Sequence, residues 1–365
     1  MTLRRRDEKR SFSERLHVLK SSLDPKSDKY GLKTFYESVN AVADIVFVHG
    51  ITGHREHTWA TGERGARPWP ESLLPAKVPY SRILSFGYDA AVIGWRTRIS
   101  SNRIGDHAKN LVAALASHRD ADNSSNRPII FVCHSLGGLV CKDALWCSKT
   151  SPENHLQRIL NCTLGILFLG TPHSGTGLAK VAERLIQLVS NPATRTNLRI
   201  LEVLCRDSEV LARIQDDFHS LLRCRDNEGF PPIEITCFYE ELPLPGIGEV
   251  VPKHSAILPG YPAIGIHSDH RDIARFATED EPGFISILGE LQRWMKEIQL
   301  GQYRAGSPRS SRSKSLEGKN MFNANAHMRS HNSNNYGGIT IHGDVVESNV
   351  VNGGMTIHGG LRFGN

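Results

Sequence analysis

The sequence predicts an α/β protein: a mostly parallel sheet flanked by helices, followed by a flexible tail that ends in a short β repeat. Three observations predict it. Short apolar, β-branched runs recur at residues 44–48, 129–133, 163–169 and 233–239, as expected of buried strands. Stretches with apolar residues at helical spacing separate them. After a segment rich in Ser, Arg, Gly and Asn (residues 301–336), a nearly exact repeat closes the chain.

The run at 44–48 ends in His49-Gly50-Ile51-Thr52-Gly53, a glycine-bounded turn. The next, at 129–133, breaks at His134-Ser135-Leu136-Gly137-Gly138 and resumes as a helical pattern. This strand–turn–helix context is that of a nucleophile elbow, in which a sharp turn holds a serine hydroxyl clear of the backbone. The start of the following helix directs free N–H groups toward developing negative charge. The backbone N–H groups of Leu136 and Ile51 are therefore the candidate oxyanion donors, fixed in place before any reaction begins. The motif departs from G-x-S-x-G at one position, where Cys133 replaces the first glycine in the crowded space between strand and helix. An ordinary strand–helix turn with a surface serine is the bland alternative.

An elbow of this kind requires an acid and then a histidine further along the chain. The strand at 163–169 ends in Gly170-Thr171-Pro172-His173-Ser174-Gly175, with no carboxylate before Glu183. The strand at 233–239 ends at Glu240-Glu241, and a further short strand is expected around 249–252. Beyond it come His267 and His270. The order is right, and each candidate lies at or past a strand's C-terminal end, where open α/β sheets bind ligands. Strand alternation favours Glu240 over the alternate acid Glu241. Of the other histidines, His134 fills the variable elbow position and His173 reads as a pocket wall. His49, His54 and His57 lack a carboxylate or cysteine set to complete a ligand pattern, so neither metal nor cofactor is expected.

Residues 176–225 leave the strand pattern. Leu178, Val181, Leu185 and Leu188, then Leu204, Leu211, Ile214, Phe218 and Leu221, repeat at helical spacing. The segment is either a helical cap over the site or a helix pair packed on the sheet.

Together these segments resemble the lipase-like α/β-hydrolases related to the serine-active-site proteins and the GPI-inositol deacylases, in the form found in fungal NLR-associated proteins. The resemblance runs from about residue 30 to 300. It rests on DIVFVHG (44–50), WPESLLP (69–75), RILSFGYD (82–89), HSLGGLV (134–140), FLGTPHSG (168–175), FYE (238–240), VPKHSA (251–256) and DHRDIARF (269–276). It implies an α/β-hydrolase fold and a serine esterase or lipase-like activity. Ser135 would be nucleophile, His270 base in preference to the alternate His267 by motif position, and Glu240 acid. The substrate would be an acyl ester or lipid.

The division expected is a basic segment at 1–29, the hydrolase domain at 30–300 with its cap at about 176–225, a disordered basic linker at 301–336 and the repeat at 337–365. The formal net charge is +6, but residues 1–20 hold seven Lys/Arg against three Asp/Glu and residues 301–336 six against one, leaving the body slightly acidic. Such arms are usually solvated; nucleic acid is not expected as a partner, whereas a membrane surface is an expected contact on activation. No apolar run approaches the ~20 residues of a membrane span, and the N-terminus shows no secretory h-region. Seven cysteines without C-x-x-C favour reduced thiols. A cytoplasmic location is the expectation.

In the tail, Gly337-Gly338-Ile339-Thr340-Ile341-His342-Gly343 returns as Gly353-Gly354-Met355-Thr356-Ile357-His358-Gly359. The spacing is even, so stacking the copies keeps each side chain on its own face. Two rungs bury little alone, but chain upon chain they would form cross-β structure. This tail resembles the sigma-type prion-forming motifs of fungal amyloid signalling. The likeness implies self-assembly templated by an NLR-like partner with a matching motif, in self/non-self recognition and cell death. A disordered tail or a small hairpin is the plain alternative. A catalytically inactive hydrolase-fold adaptor is the alternative for the whole chain.

Overall fold

The computed structural model describes residues 29–50, 53–62, 66–88, 103–173, 178–189, 198–301, 303, 335–336 and 339–340. The chain divides into two units, residues 1–312 and 313–365. Among the described residues of the first, seven strands form one sheet in the order β1-β3-β2-β4-β5-β6-β7. They are β1 (Gly31–Glu37), β2 (Ala43–Val48), β3 (Ser81–Gly87), β4 (Ile129–His134), β5 (Thr163–Leu169), β6 (Glu234–Glu240) and β7 (Ala263–Ile266). Only β1, at the edge, is antiparallel to its neighbour; all other pairs are parallel.

The central strands read as continuous apolar runs because both faces are covered. Successive side chains point to opposite faces, and this alternation splits each strand between two cores. Val46, Val48, Phe131, Cys133, Ile166 and Phe168 face helices α1 (Arg103–Ala121), α2 (Gly137–Thr150) and α3 (Asn154–Asn161). Ile45, Phe47, Ile130, Val132, Leu167 and Leu169 face Trp59, Trp69 and the C-terminal helix Pro282–Gln299. A parallel sheet covered in this way is the α/β-hydrolase fold that the sequence predicts. At the start of β2, buried Asp44 binds Arg82, Arg119 and Arg127, pinning the beginnings of two strands to the end of α1.

The insertion contains two helices, α4 (Leu178–Val189) and α5 (Leu198–Asn227). The C-terminal half of α5 packs on the sheet, with Phe218 and Leu221 joining the core around Phe168. In α4, Val181 and Leu185 instead pack on Leu244, Val250 and Val251, beyond the strand ends.

One expected element is corrected. Residues 249–252 are not a strand; the strand that follows β6 in the sheet is Ala263–Ile266, paired with it in the register Glu240↔Ile266. Val250 and Val251 are apolar because they are buried under α4, and their N–H groups serve a side chain rather than a ladder. In the second unit, Asn335–Tyr336 pairs antiparallel with Ile339–Thr340. The first of these strands begins two residues before the expected repeat boundary. The second copy of the repeat, the N-terminal segment 1–28 and residues 304–334 lie outside the described residues.

Candidate active site

The parallel register brings the ends of β4, β5, β6 and β7 side by side, and the candidate residues sit just beyond them. Ser135 follows β4 in the left-handed region, at φ 52. A non-glycine residue there is disfavoured by about 1–3 kcal/mol, so the surroundings must hold it. They do so through its backbone: the N–H donates to Leu169 O (2.9 Å), and the carbonyl accepts from Gly138 N (3.1 Å) and Thr171 Oγ1 (3.0 Å). The glycines beside it leave no space for a side chain. A Cβ on Gly137 would lie 2.4 Å from the carbonyl oxygens of Val48 and His49, and one on Gly50 would lie 2.6 Å from Ser135 Cβ. Cys133 is accommodated in the core beside Cys141, where burial pushes its thiol pKa well up.

Three expected residues meet. His270 is buried, with Nε2 2.9 Å from Ser135 Oγ and Nδ1 2.6 Å from Glu240 Oε2. The other carboxylate oxygen of Glu240 accepts the N–H groups of Val250 (2.6 Å) and Val251 (3.0 Å). With both oxygens held, the carboxylate can present Oε2 to the imidazole in only one way. The alternates do not join this group. His267 and Glu241 are exposed and pair with each other at 3.4 Å, Glu241 having followed strand alternation to the other side.

Leu136 precedes the first turn of α2, which has no side-chain cap. Its own N–H makes no hydrogen bond to a described residue. The other expected oxyanion donor, Ile51, lies outside the described residues. The turn leading to it is held by His49, stacked on Tyr88 at 4.3 Å, with Nδ1–H donating to Gly50 O at 2.9 Å. Burial lowers the His49 pKa to about 4. His134 donates from Nε2 to the backbone carbonyl of His270 (2.9 Å); burial and then the neighbouring His270 lower its pKa to about 3. Both rings are therefore neutral supports near neutral pH. His173 is not a pocket wall: it is buried and bonded to Lys142. Among the described residues, no group of three or more His, Cys, Asp or Glu could hold a metal ion.

Sequence reasoning missed the Val250–Val251 clamp, because two adjacent valines read as strand. It also missed Lys142, whose signal was a lysine set within an otherwise apolar helix start.

The chain has an α/β-hydrolase fold in which a serine, a histidine and a glutamate come into contact at the strand ends. No family model matches the chain. Among curated proteins it is similar to Protein SERAC1 of Homo sapiens (29% identical over 259 residues) and of Danio rerio (31% over 258 residues), the matches covering 65% of this chain in each case. The match spans only 37% of the length of these relatives. Similar solved structures include Bacillus licheniformis lipase BlEst2 in mature form (TM-score 0.43, 17% identity, covering 70% of this chain and 97% of that one). The thioesterase domain of NocB, from the nocardicin cluster, is similar at TM-score 0.38 and 13% identity, over 73% of this chain and 99% of that one.

Proposed function

We propose that this chain is a serine carboxylic-ester hydrolase of lipase or esterase type. The observation that carries the reading is His270, in hydrogen-bond reach of both Ser135 Oγ and Glu240 Oε2. Glu240 holds Nδ1 protonated, so Nε2 is free to accept the serine proton. Ser135 Oγ attacks the acyl carbonyl as His270 takes that proton. The carbonyl oxygen becomes an oxyanion facing the Leu136 N–H, with Ile51 as the expected second donor. The intermediate collapses, the bond to the alcohol oxygen breaks, and His270 returns the proton to that oxygen. Water then attacks the acyl-serine by the same route in reverse, releasing the acid and restoring Ser135.

The test is labelling of the purified chain by a fluorophosphonate probe, alongside Ser135→Ala and His270→Ala. Label on the wild type that is lost in both variants supports the reading; equal labelling of all three sinks it.

The reading extends to the tail. Residues 337–365 assemble chain upon chain, templated by an NLR-like protein with a matching motif, and the basic tails bring the body to an anionic membrane surface in the cytoplasm. In this role the hydrolase is an effector of self/non-self recognition and cell death. The repeat with its alternating apolar residues supports it. Undiminished self-assembly of a chain lacking residues 337–365 would refute it.

A second reading, a catalytically inactive adaptor, draws support from Leu136. This neighbour of Ser135 is packed both against the cluster that holds Val181, Leu185 and Val250 and against Leu139 and Ile214, so apolar side chains crowd the residue next to the nucleophile. A Ser135→Ala chain that keeps its cellular effect would favour the adaptor.

A further inference from the structure

Lys142, on the second turn of α2, is fully buried, and among the described residues it has no carboxylate partner. Its Nζ lies over the rings of Phe168 and Phe218, 5.2 Å from each. It donates to Nδ1 of His173 (2.7 Å) and to Oε1 of Gln215 (2.7 Å). Burying an ammonium beside aromatic rings is costly unless its hydrogen bonds are made, and here they join three separate elements. His173 belongs to the segment 170–173 that follows β5, and Gln215 belongs to α5. Gln215 closes the circuit by donating from Nε2 to Pro172 O at 3.1 Å. Because Nδ1 of His173 accepts from Lys142, its Nε2 carries the proton, directed at Cys237 Sγ 3.7 Å away. The His173 backbone N–H is tied to Ser255 O at 2.6 Å.

The same loop touches both partners of the reaction. Gly170, at φ 56, lies against the His270 ring: a Cβ there would come 3.1 Å from Nδ1 and 3.2 Å from Cε1. Thr171 donates to the Ser135 carbonyl and packs on Gly138, where a Cβ would meet its side chain at 2.3–2.4 Å. The loop is thus a brace between elbow and imidazole, and among the described residues its far end is held through His173 and Pro172 by Lys142, Gln215 and Ser255.

We propose that Lys142, His173 and Gln215 are positioning residues for the Ser135–His270 pair: they lock the 170–173 brace to helix α5, so that the insertion and the reacting groups move as one body. The proposal rests on the hydrolase reading, and its consequence is that a disturbance of α5 reaches Ser135 without contact with substrate. Displacement of reacting groups by about an ångström can cost on the order of 100-fold in rate, so even partial loosening is measurable.

The experiment is a double-mutant cycle of Lys142→Met and Gln215→Leu in the full chain, with kcat and KM measured on a short soluble ester. The expected result is a kcat lowered by ~10-fold in Lys142→Met and by less in Gln215→Leu, with KM within about twofold. The double variant should match Lys142→Met alone, because both break one circuit. Hydrogen exchange gives the second readout: in either variant, residues 166–173 and 212–222 should lose protection together. Folded variants with kcat within about twofold of wild type, additive effects, or loss of protection in only one segment would overturn the proposal. If Lys142→Met does not fold, Gln215→Leu carries both readouts. A wild type that neither turns over ester nor takes the fluorophosphonate refutes the hydrolase reading instead, and the exchange arm alone then decides whether the two segments are coupled.

Discussion

Glu240→Gln isolates what the carboxylate does from what merely holds it. In the structure Oε1 accepts two backbone N–H groups, from Val250 and Val251, while Oε2 accepts Nδ1–H of His270. A glutamine can keep its oxygen on the two valine N–H groups, so the clamp survives and stability should fall by no more than about 1–2 kcal/mol. Its amide then turns an N–H toward Nδ1. That forces the imidazole into the tautomer with the proton on Nε2, facing Ser135 Oγ, where it can no longer accept one. The expected loss is ~10³–10⁴-fold in kcat with little change in KM, the scale seen when a triad acid is neutralised with its geometry intact. Glu240→Ala should behave differently. It leaves two buried N–H groups without an acceptor, at about 1–3 kcal/mol each, so its melting temperature should fall well below that of the glutamine variant. The assay is steady-state turnover of a soluble ester beside thermal unfolding of both variants. A Glu240→Gln chain retaining more than about a tenth of wild-type kcat would refute the tautomer argument.

Gly137→Ala should abolish fluorophosphonate labelling and lower stability by about 1–3 kcal/mol, since the new methyl meets two backbone oxygens that cannot rotate away; normal labelling would show that the elbow has slack. Acid should destabilise the fold. Burial lowers the pKa values of His49 and His134 to about 4 and about 3 from the ordinary histidine 6.5, so below about pH 6.5 the unfolded chain binds protons that the folded one refuses. The stability is present above that pH and is lost as pH falls, by about 4 kcal/mol for the two between pH 7 and pH 5, and a urea midpoint that does not move over this range would contradict it. Lys142 acts on the alkaline side. Burial lowers its pKa to about 7 from 10.5, so stability should rise with pH above 7, by about 1 kcal/mol between pH 6 and 8, and Lys142→Met should remove that slope in the same titration. Asp44→Asn should cost about 3–5 kcal/mol in urea unfolding by leaving buried Arg119 without its carboxylate and removing the buried one of the Arg82 partners; a cost under about 1 kcal/mol would mean that the Ser125 and Arg127 carbonyls for Arg119, and Asp122 for Arg82, suffice.

The elbow and the order of its partners were legible in the sequence because they depend on local chemistry. An apolar run broken by His-Ser-Leu-Gly-Gly determines a strand, a tight turn and a helix start, and strand alternation alone turns Glu240 and Glu241 to opposite sides. The buried strands β2, β4, β5 and β6 were legible because their runs are largely apolar, whereas β3, equally buried, carries Ser81, Arg82 and Ser85 and was not read as a strand. Edge strand β1, with polar residues at Lys33 and Glu37, gave no such signal. Tertiary structure decided what depends on residues far apart in the chain. Val250 and Val251 have the composition of a strand, and only the approach of Glu240 from β6 and of α4 from above makes them a clamp. Lys142 has the composition of a solvated helix position, and only the convergence of α5 and the loop after β5 buries it against His173 and Gln215. Periodicity reports which face of an element is apolar. It does not report which polar groups the fold will bring to that face, because those pairings are set by how the elements pack and not by the residues beside them in sequence.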